Sequence, residues 1–217
     1  MTTATSEGLM SQPDPNVIST ADALRELVGE THPNLDMKLL DRLDGFCIDF
    51  IARSPFLVMA TSDVDGQLDA SPKGDAPGFV LVEDDETLAI PDRPGNKLAF
   101  GHLNILENPH VGLIFMIPGT PETLRINGRA ELTRDPTLLE RMAARGRPAV
   151  LATRVRIDQC FFHCAKAFIR SNLWKPDEWG ERHKVSFGQM LAAQTGADES
   201  AAQTIDEAIE SDYRTNL

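Results

Sequence analysis

Between Phe56 and His163 the chain is a series of short apolar runs and apolar–polar alternations, each bounded by Gly, Pro, Asp or Asn, the pattern of β-strands separated by turns. FLVMATSD and QLDASP flank an Asp65-Gly66 turn and predict a hairpin. GFVLVE, ETLAIP, HVGLIFMIP, ETLRINGRAELT and VLATRVRIDQCFFH predict further strands. Elsewhere the spacing is helical. Ser19 to Asp22 offers capping residues ahead of Leu24, Leu27 and Val28, and the stretch from Leu35 to Arg53 carries Leu39, Leu40, Leu43, Phe46, Ile48 and Phe50 before ending at Ser54-Pro55. Helices are also predicted from Asn96 to Asn108, from Thr137 to Arg145 after Asp135-Pro136, over CAKAFIRSNLW, from Phe187 to Gln194 and from Ala201 to Ser211.

Strands crowded at short intervals, with two helices interrupting them, point to an antiparallel barrel rather than an alternating parallel sheet. The expected class is therefore mainly β (α+β), an antiparallel β-barrel with peripheral helices at both ends. Residues 1–19 lack apolar periodicity and are expected to be a disordered tail. N-terminal helices are expected over 20–55, the barrel domain over 56–180 and a C-terminal helical extension over 181–217.

Composition narrows the partners. With a formal net charge of -12 over 217 residues, general attraction to nucleic acid or anionic lipid would work against repulsion, so neither is expected. A few arginines can still focus positive potential in one cleft. Three cysteines, Cys47, Cys160 and Cys164, make no framework of pairs, which suits a reducing compartment and a cytoplasmic location. No stretch approaches the apolar length of a membrane span.

Four segments could carry chemistry. IPDRPGNKLAFGHLNILENP, residues 90–109, joins a strand end to a helix start and brings Arg93, Asn96 and Lys97 together. Unpaired N–H groups and a helix N-terminus there would suit a phosphate, while a solvated surface loop is the plainer reading. In ASPKGDAPGF, Lys73 lies beside glycines that permit close backbone approach, or marks an ordinary turn. In TLRING, alternation puts Thr123 and Arg125 on one strand face opposite Leu124 and Ile126. In QCFFHCAKAFIRSNLW, the spacing of Lys166, Arg170 and Trp174 puts them on one helix face, open either to a flat anionic ligand or to core packing and ion pairing. Cys160, His163 and Cys164 have poor metal spacing, no further cluster completes a ligand set, and no metal is expected. The remaining histidines, His32, His102, His110 and His183, stand alone, with no hydrolytic pattern beside them.

The PKGD turn, IPDRPGN, ILENPHVGLIF, ETLRINGRA and HCAKAFIRSNLW resemble, in this order, the FMN-binding split-barrel proteins related to pyridoxamine 5'-phosphate oxidase, in particular a bacterial branch of unsettled substrate. The resemblance spans roughly residues 35–180. It implies FMN as cofactor, hydride transfer through the flavin on an unidentified small molecule, and a homodimer with flavin sites at its interface. It further implies that Lys73, Arg93, Asn96 and Lys97 bind the phosphate and ribityl chain. Backbone near Ser71, Pro72 and Gly74, and near Ile90 and Pro91, would line the ring. Thr123, Arg125, Lys166, Arg170 and Trp174 would approach from the second subunit, with Arg125 or Arg170 favouring the reduced flavin. LDASPK keeps the lysine of the oxidase's RxVLLK strand without its leading arginine, and the oxidase's residues for pyridoxal phosphate are not recognisable here. Related barrels that use haem or a deazaflavin, or that bind flavin without turnover, are the alternatives. For haem, His163 is the histidine expected near the pocket.

Overall fold

The computed structural model describes Asp14 and residues 16–32, 34–95 and 97–215. Most of the expected tail over 1–19 lies outside these residues, as does Asn96. The chain divides into two compact units, Met1–Lys38 and Leu39–Leu217. In the first, helix α1 (Ala21–Val28) starts where Thr20 Oγ1 accepts the Ala23 N–H at 3.2 Å and stops at Gly29, whose φ of 82° a β-carbon would disfavour. A single 3₁₀ turn, Asp36–Lys38, follows.

The long helix expected over Leu35–Arg53 is not formed. Leu40 instead exchanges backbone hydrogen bonds with Cys160, its N–H donating at 2.9 Å and its carbonyl accepting at 2.7 Å. Helix α2 (Gly45–Arg53) begins only where Asp44 caps the Cys47 N–H at 2.8 Å. The apolar residues at helical spacing before it, Leu40 and Leu43, reach the core from extended chain.

The second unit is built on β1 (Phe56–Ser62), β2 (Leu68–Gly74), β3 (Leu81–Val82), β4 (Thr87–Asp92), β5 (His110–Met116), β6 (Thr123–Thr133) and β7 (Leu151–His163). All seven pair antiparallel in one sheet, in the order β2-β1-β5-β6-β7-β4-β3. GFVLVE contributes only the two residues of β3, which cover β4 at Leu88 and Ala89 and leave Ile90–Asp92 without a ladder partner on that side. The sheet curls until this bare end of β4 faces β2, the opposite edge. Side chains rather than backbone bonds close the gap: Lys73 Nζ donates to Asp92 Oδ1 at 3.1 Å, and Arg93 Nε to Asp75 Oδ2 at 2.9 Å. A seam results, with Pro72 on one strand and Pro91 on the other.

The inner face holds the core. Leu57, Met59, Leu88, Leu113, Phe115, Leu124, Ile126 and Val155 are fully buried with Cys47 and Ile51 of α2, each large apolar side chain stabilising by about 1.5–3 kcal/mol. In β6 a bulge sits at Asn127/Gly128, and a β-carbon on Gly128 would collide with the Arg156 carbonyl. Helix α3 (Phe100–Glu107) is pinned to β1 by Asn104 to Thr61 at 3.1 Å and by Asn108 just beyond it to Ser62 at 2.9 Å. It is shorter than the expected Asn96–Asn108 because Lys97 and Ala99 take left-handed φ of 61° and 53°, which an α-helix cannot continue. Helix α4 (Pro136–Arg141) is shorter than expected as well, and a tight turn pairs Ala144 with Arg147.

Beyond β7 come α5 (Lys166–Ser171), a 3₁₀ turn at Pro176–Glu178, and the pair α6 (Phe187–Thr195) and α7 (Glu199–Thr215). Asp206 ties that pair together by accepting from Ser186 and, at 2.8 Å, from the Gly188 N–H. Among the described residues no helix is long and apolar enough to cross a membrane.

Candidate functional site

The seam opens into a cleft of about 700 Å³, lined from β2 by residues 69–74, from the end of β4 and the turn after it by Pro91 to Gly95, and from the start of α3 by Lys97 to His102. Its shape follows from the sequence. Pro and Gly follow one another at the end of β4 and just beyond it, the left-handed Lys97 and Ala99 redirect the chain, and α3 starts after Ala99 without a side-chain cap, so among the described residues its first N–H groups have no capping side chain. Gly101 lets that helix start press on β2, since a β-carbon there would come within 2.9 Å of Asp69 Oδ2. Two non-glycine residues held in the left-handed region within three positions store strain of roughly 1–2 kcal/mol each.

Two cations of the cleft are paired. Asp92 takes Lys73, Asp75 takes Arg93, and Ser71 Oγ donates to Asp69. Two polar atoms are left over: Arg93 Nη1 and His102 Nε2 are buried and have no hydrogen-bond partner among the described residues. An uncompensated buried guanidinium N–H is costly, by about 1–3 kcal/mol, and an anion beside the helix start would satisfy it. Burial holds the His102 imidazole below the ordinary histidine range, Lys73 adds to the lowering, and Asp92 and Asp69 oppose it. A second pocket of about 280 Å³ lies on the other side of Arg93, where Arg145 and Arg147 join it.

Of the residues singled out in the sequence, Ser71, Pro72, Lys73, Gly74, Pro91, Arg93 and Lys97 share the cleft. Ile90 points into the core at 2% exposure, leaving only its backbone near the site. Asn96 lies outside the described residues. The other five are elsewhere on this chain. Arg125 stands on the outer face of β6, its guanidinium 5.6 Å from the centre of the Phe161 ring. Thr123, expected to share its exposure, is 5% exposed. Lys166 and Arg170 are exposed on α5, but Trp174 does not continue their face. The helix ends at Ser171, Asn172 turns left-handed, and Trp174 stacks on Phe168 at 5.7 Å.

His163 is exposed at the end of β7, and the histidine that lines the cleft is His102. Cys160 is buried, with its thiol donating to the Arg42 carbonyl at 3.1 Å, whereas Cys164 is exposed. Among the described residues no cluster of His, Cys, Asp and Glu is placed to hold a metal. Asp92 and His102 line the cleft and Asp75 pairs with Arg93 at its edge, and none of the three stands out as a site residue in the sequence. The two aspartates lie inside the quoted PKGD and IPDRPGN segments, where a carboxylate between strand-end cations was a usable signal; an isolated histidine in a helix start gave none.

The family model for pyridoxamine 5'-phosphate oxidase matches residues 43–164, more than half of the chain. The chain belongs to that family. The match runs from the approach to α2 to the end of β7 and includes every residue lining the cleft. Comparison with curated proteins gives no match. Among solved structures, HupZ of Group A Streptococcus is 18% identical, with 55% of this chain and 93% of that chain covered at a TM-score of 0.46. HutZ, the heme storage protein from Vibrio cholerae, is 19% identical, with 55% and 94% covered at 0.42. An FMN-binding protein from Syntrophomonas wolfei is 10% identical, with 53% and 81% covered at 0.42.

Proposed function

We propose that the protein is a cytoplasmic FMN-dependent oxidoreductase of the pyridoxamine 5'-phosphate oxidase-like family, working as a homodimer on a small molecule. The observation that carries this reading is the cleft at the seam, where Lys73, Arg93 and Lys97 meet an uncapped helix start and one guanidinium nitrogen is buried without an acceptor among the described residues. A terminal phosphate fits that donor set: cations for its charge, first-turn N–H groups for its oxygens, and a field of the right sign from α3.

When bound, FMN supplies hydride transfer at its ring. The chain's own residues bind and orient. Lys73 and Arg93 would hold the phosphate in place of their aspartates, and the β2 backbone from Ser71 to Gly74 forms a wall along the cleft. Arg125 and Arg170, both away from the cleft of their own chain, are assigned to the site of the partner subunit, which makes binding dependent on dimerisation.

The test is the absorption spectrum of the purified protein, followed by FMN titration and sizing. Oxidised-flavin bands, or saturable FMN binding by a dimer, support the reading. A Soret band assigns the cleft to haem, with His102 the histidine that lines it. A colourless protein that rejects FMN defeats both. Bound flavin that none of NADH, NADPH, amines or aldehydes reduces would leave a flavin-binding protein without turnover.

A further inference from the structure

The cleft contains a group that phosphate binding alone does not use. The side chain of His102, in the first turn of α3, is 13% exposed, and its Nε2 stands 3.6 Å from Asp92 Oδ1, just beyond hydrogen-bond reach. The same oxygen already accepts from Lys73 Nζ at 3.1 Å. One carboxylate oxygen thus lies between two bases and serves only one. The charged groups acting on the imidazole are Asp92 of β4 and Lys73 and Asp69 of β2, with Asp69 engaged by Ser71. Burial and Lys73 keep the ring neutral while Lys73 holds Asp92.

An incoming phosphate dianion changes each of these influences in the same direction. It draws on Lys73, the cation that opposes charging of the ring, and it adds negative charge to a partly desolvated cleft. It also leaves Asp92 without its partner. We propose that Asp92 passes from Lys73 to His102 when a phosphate monoester enters the cleft, so that anion binding takes up one proton from solvent at His102 Nε2. The only bond formed is Nε2–H, its proton given up by hydronium or the acid form of the buffer: the phosphate pairs with Lys73, and the new imidazolium pairs with Asp92. The site then binds more tightly as pH falls and releases its ligand as pH rises. This inference rests on the phosphate-binding reading of the cleft.

Calorimetric titration of FMN into the full-length, flavin-free protein at pH 7.0, in buffers of different ionisation enthalpy, measures the protons exchanged. A phosphate monoester with a second pKa near 6 is almost entirely dianionic at this pH, so its own release is only about one-tenth of a proton. The wild type is expected to take up about half a proton or more per FMN. His102→Gln should bind FMN without that uptake, and riboflavin, which has no phosphate, should cause none in the wild type. Asp92→Asn guards against a poorly folded histidine variant: it should bind FMN a few-fold more tightly, because Lys73 has lost its competitor, and take up no proton. FMN binding without proton uptake in the wild type, or with the wild-type uptake retained in either variant, overturns the proposal while leaving the phosphate site standing. A wild type that does not bind FMN overturns both.

Discussion

The middle of the sheet and the seam at its edge obey different rules. Across β5, β6 and β7 the inward side chains Leu113, Phe115, Leu124, Ile126 and Val155 are fully buried, and buried polar groups among the described residues there have partners, as where the Ser54 hydroxyl is 2.8 Å from the carbonyl oxygens of both Phe56 and Met116. At the seam, β2 buries none of its residues, two polar atoms lack partners among the described residues and two non-glycine residues are left-handed. One region satisfies its own chemistry and supplies stability. The other leaves chemistry unsatisfied, which is where a ligand can contribute what the chain does not.

The strongest way to break the comparison is Gly128→Ala. The new methyl would strike the backbone carbonyl of Arg156 in the middle of the sheet, and a loss of roughly 3 kcal/mol or more is expected in urea unfolding. The same change at Gly101 meets only a side-chain oxygen, at 2.9 Å. It should lower stability by less than about 1 kcal/mol while weakening FMN binding. Equal destabilisation by the two would erase the distinction.

Lys73→Ala and Arg93→Ala come next. Each removes a charge-assisted donor worth about 1.5–3 kcal/mol, so fluorescence titration should show FMN affinity falling roughly 10- to 100-fold. The melting temperature should fall less than for Gly128→Ala, since each change removes an ion pair that closes the seam but leaves the apolar core intact.

A smaller effect concerns pH. His102 has its folded-state pKa lowered by burial, so below the unfolded value of about 6.5 the unfolded chain binds more protons than the folded one. Its contribution to the stability of the flavin-free protein is complete above that pH and is lost as pH falls toward and through the depressed folded pKa. Denaturation between pH 7.5 and 5 should therefore show a falling stability that His102→Gln flattens. The smallest expected change is Ala99→Gly, which relieves a left-handed alanine and should raise stability by about 0.5 kcal/mol in thermal melts.

The strands were legible because alternation at a half-buried sheet is a local signal, and β1, β5, β6 and β7 lie where the pattern put them. Helix extents were less legible. Leu39, Leu40 and Leu43 have helical spacing, yet Leu40 is held by a bridge to Cys160, a contact 120 residues away in the chain that no local window contains. At the site, the PKGD and IPDRPGN turns marked the cations correctly as neighbours of a strand end and a helix start. What they could not convey was that β2 and β4, at or near opposite ends of the strand order, meet. That depends on the curl of the whole sheet, and it brings Asp92 between Lys73 and His102. Trp174 shows the converse failure, since regular spacing placed it on a helix that Asn172 ends.

Pro72 and Pro91 face the gap from its two sides, and neither residue has an amide hydrogen to give to a neighbouring strand. The cylinder is thus barred from zipping itself shut at that point, and an extended segment from another chain finds donors missing there too. Two imino acids keep a permanent slot in an otherwise continuous wall, and the vacancy they preserve is where the molecule can be loaded.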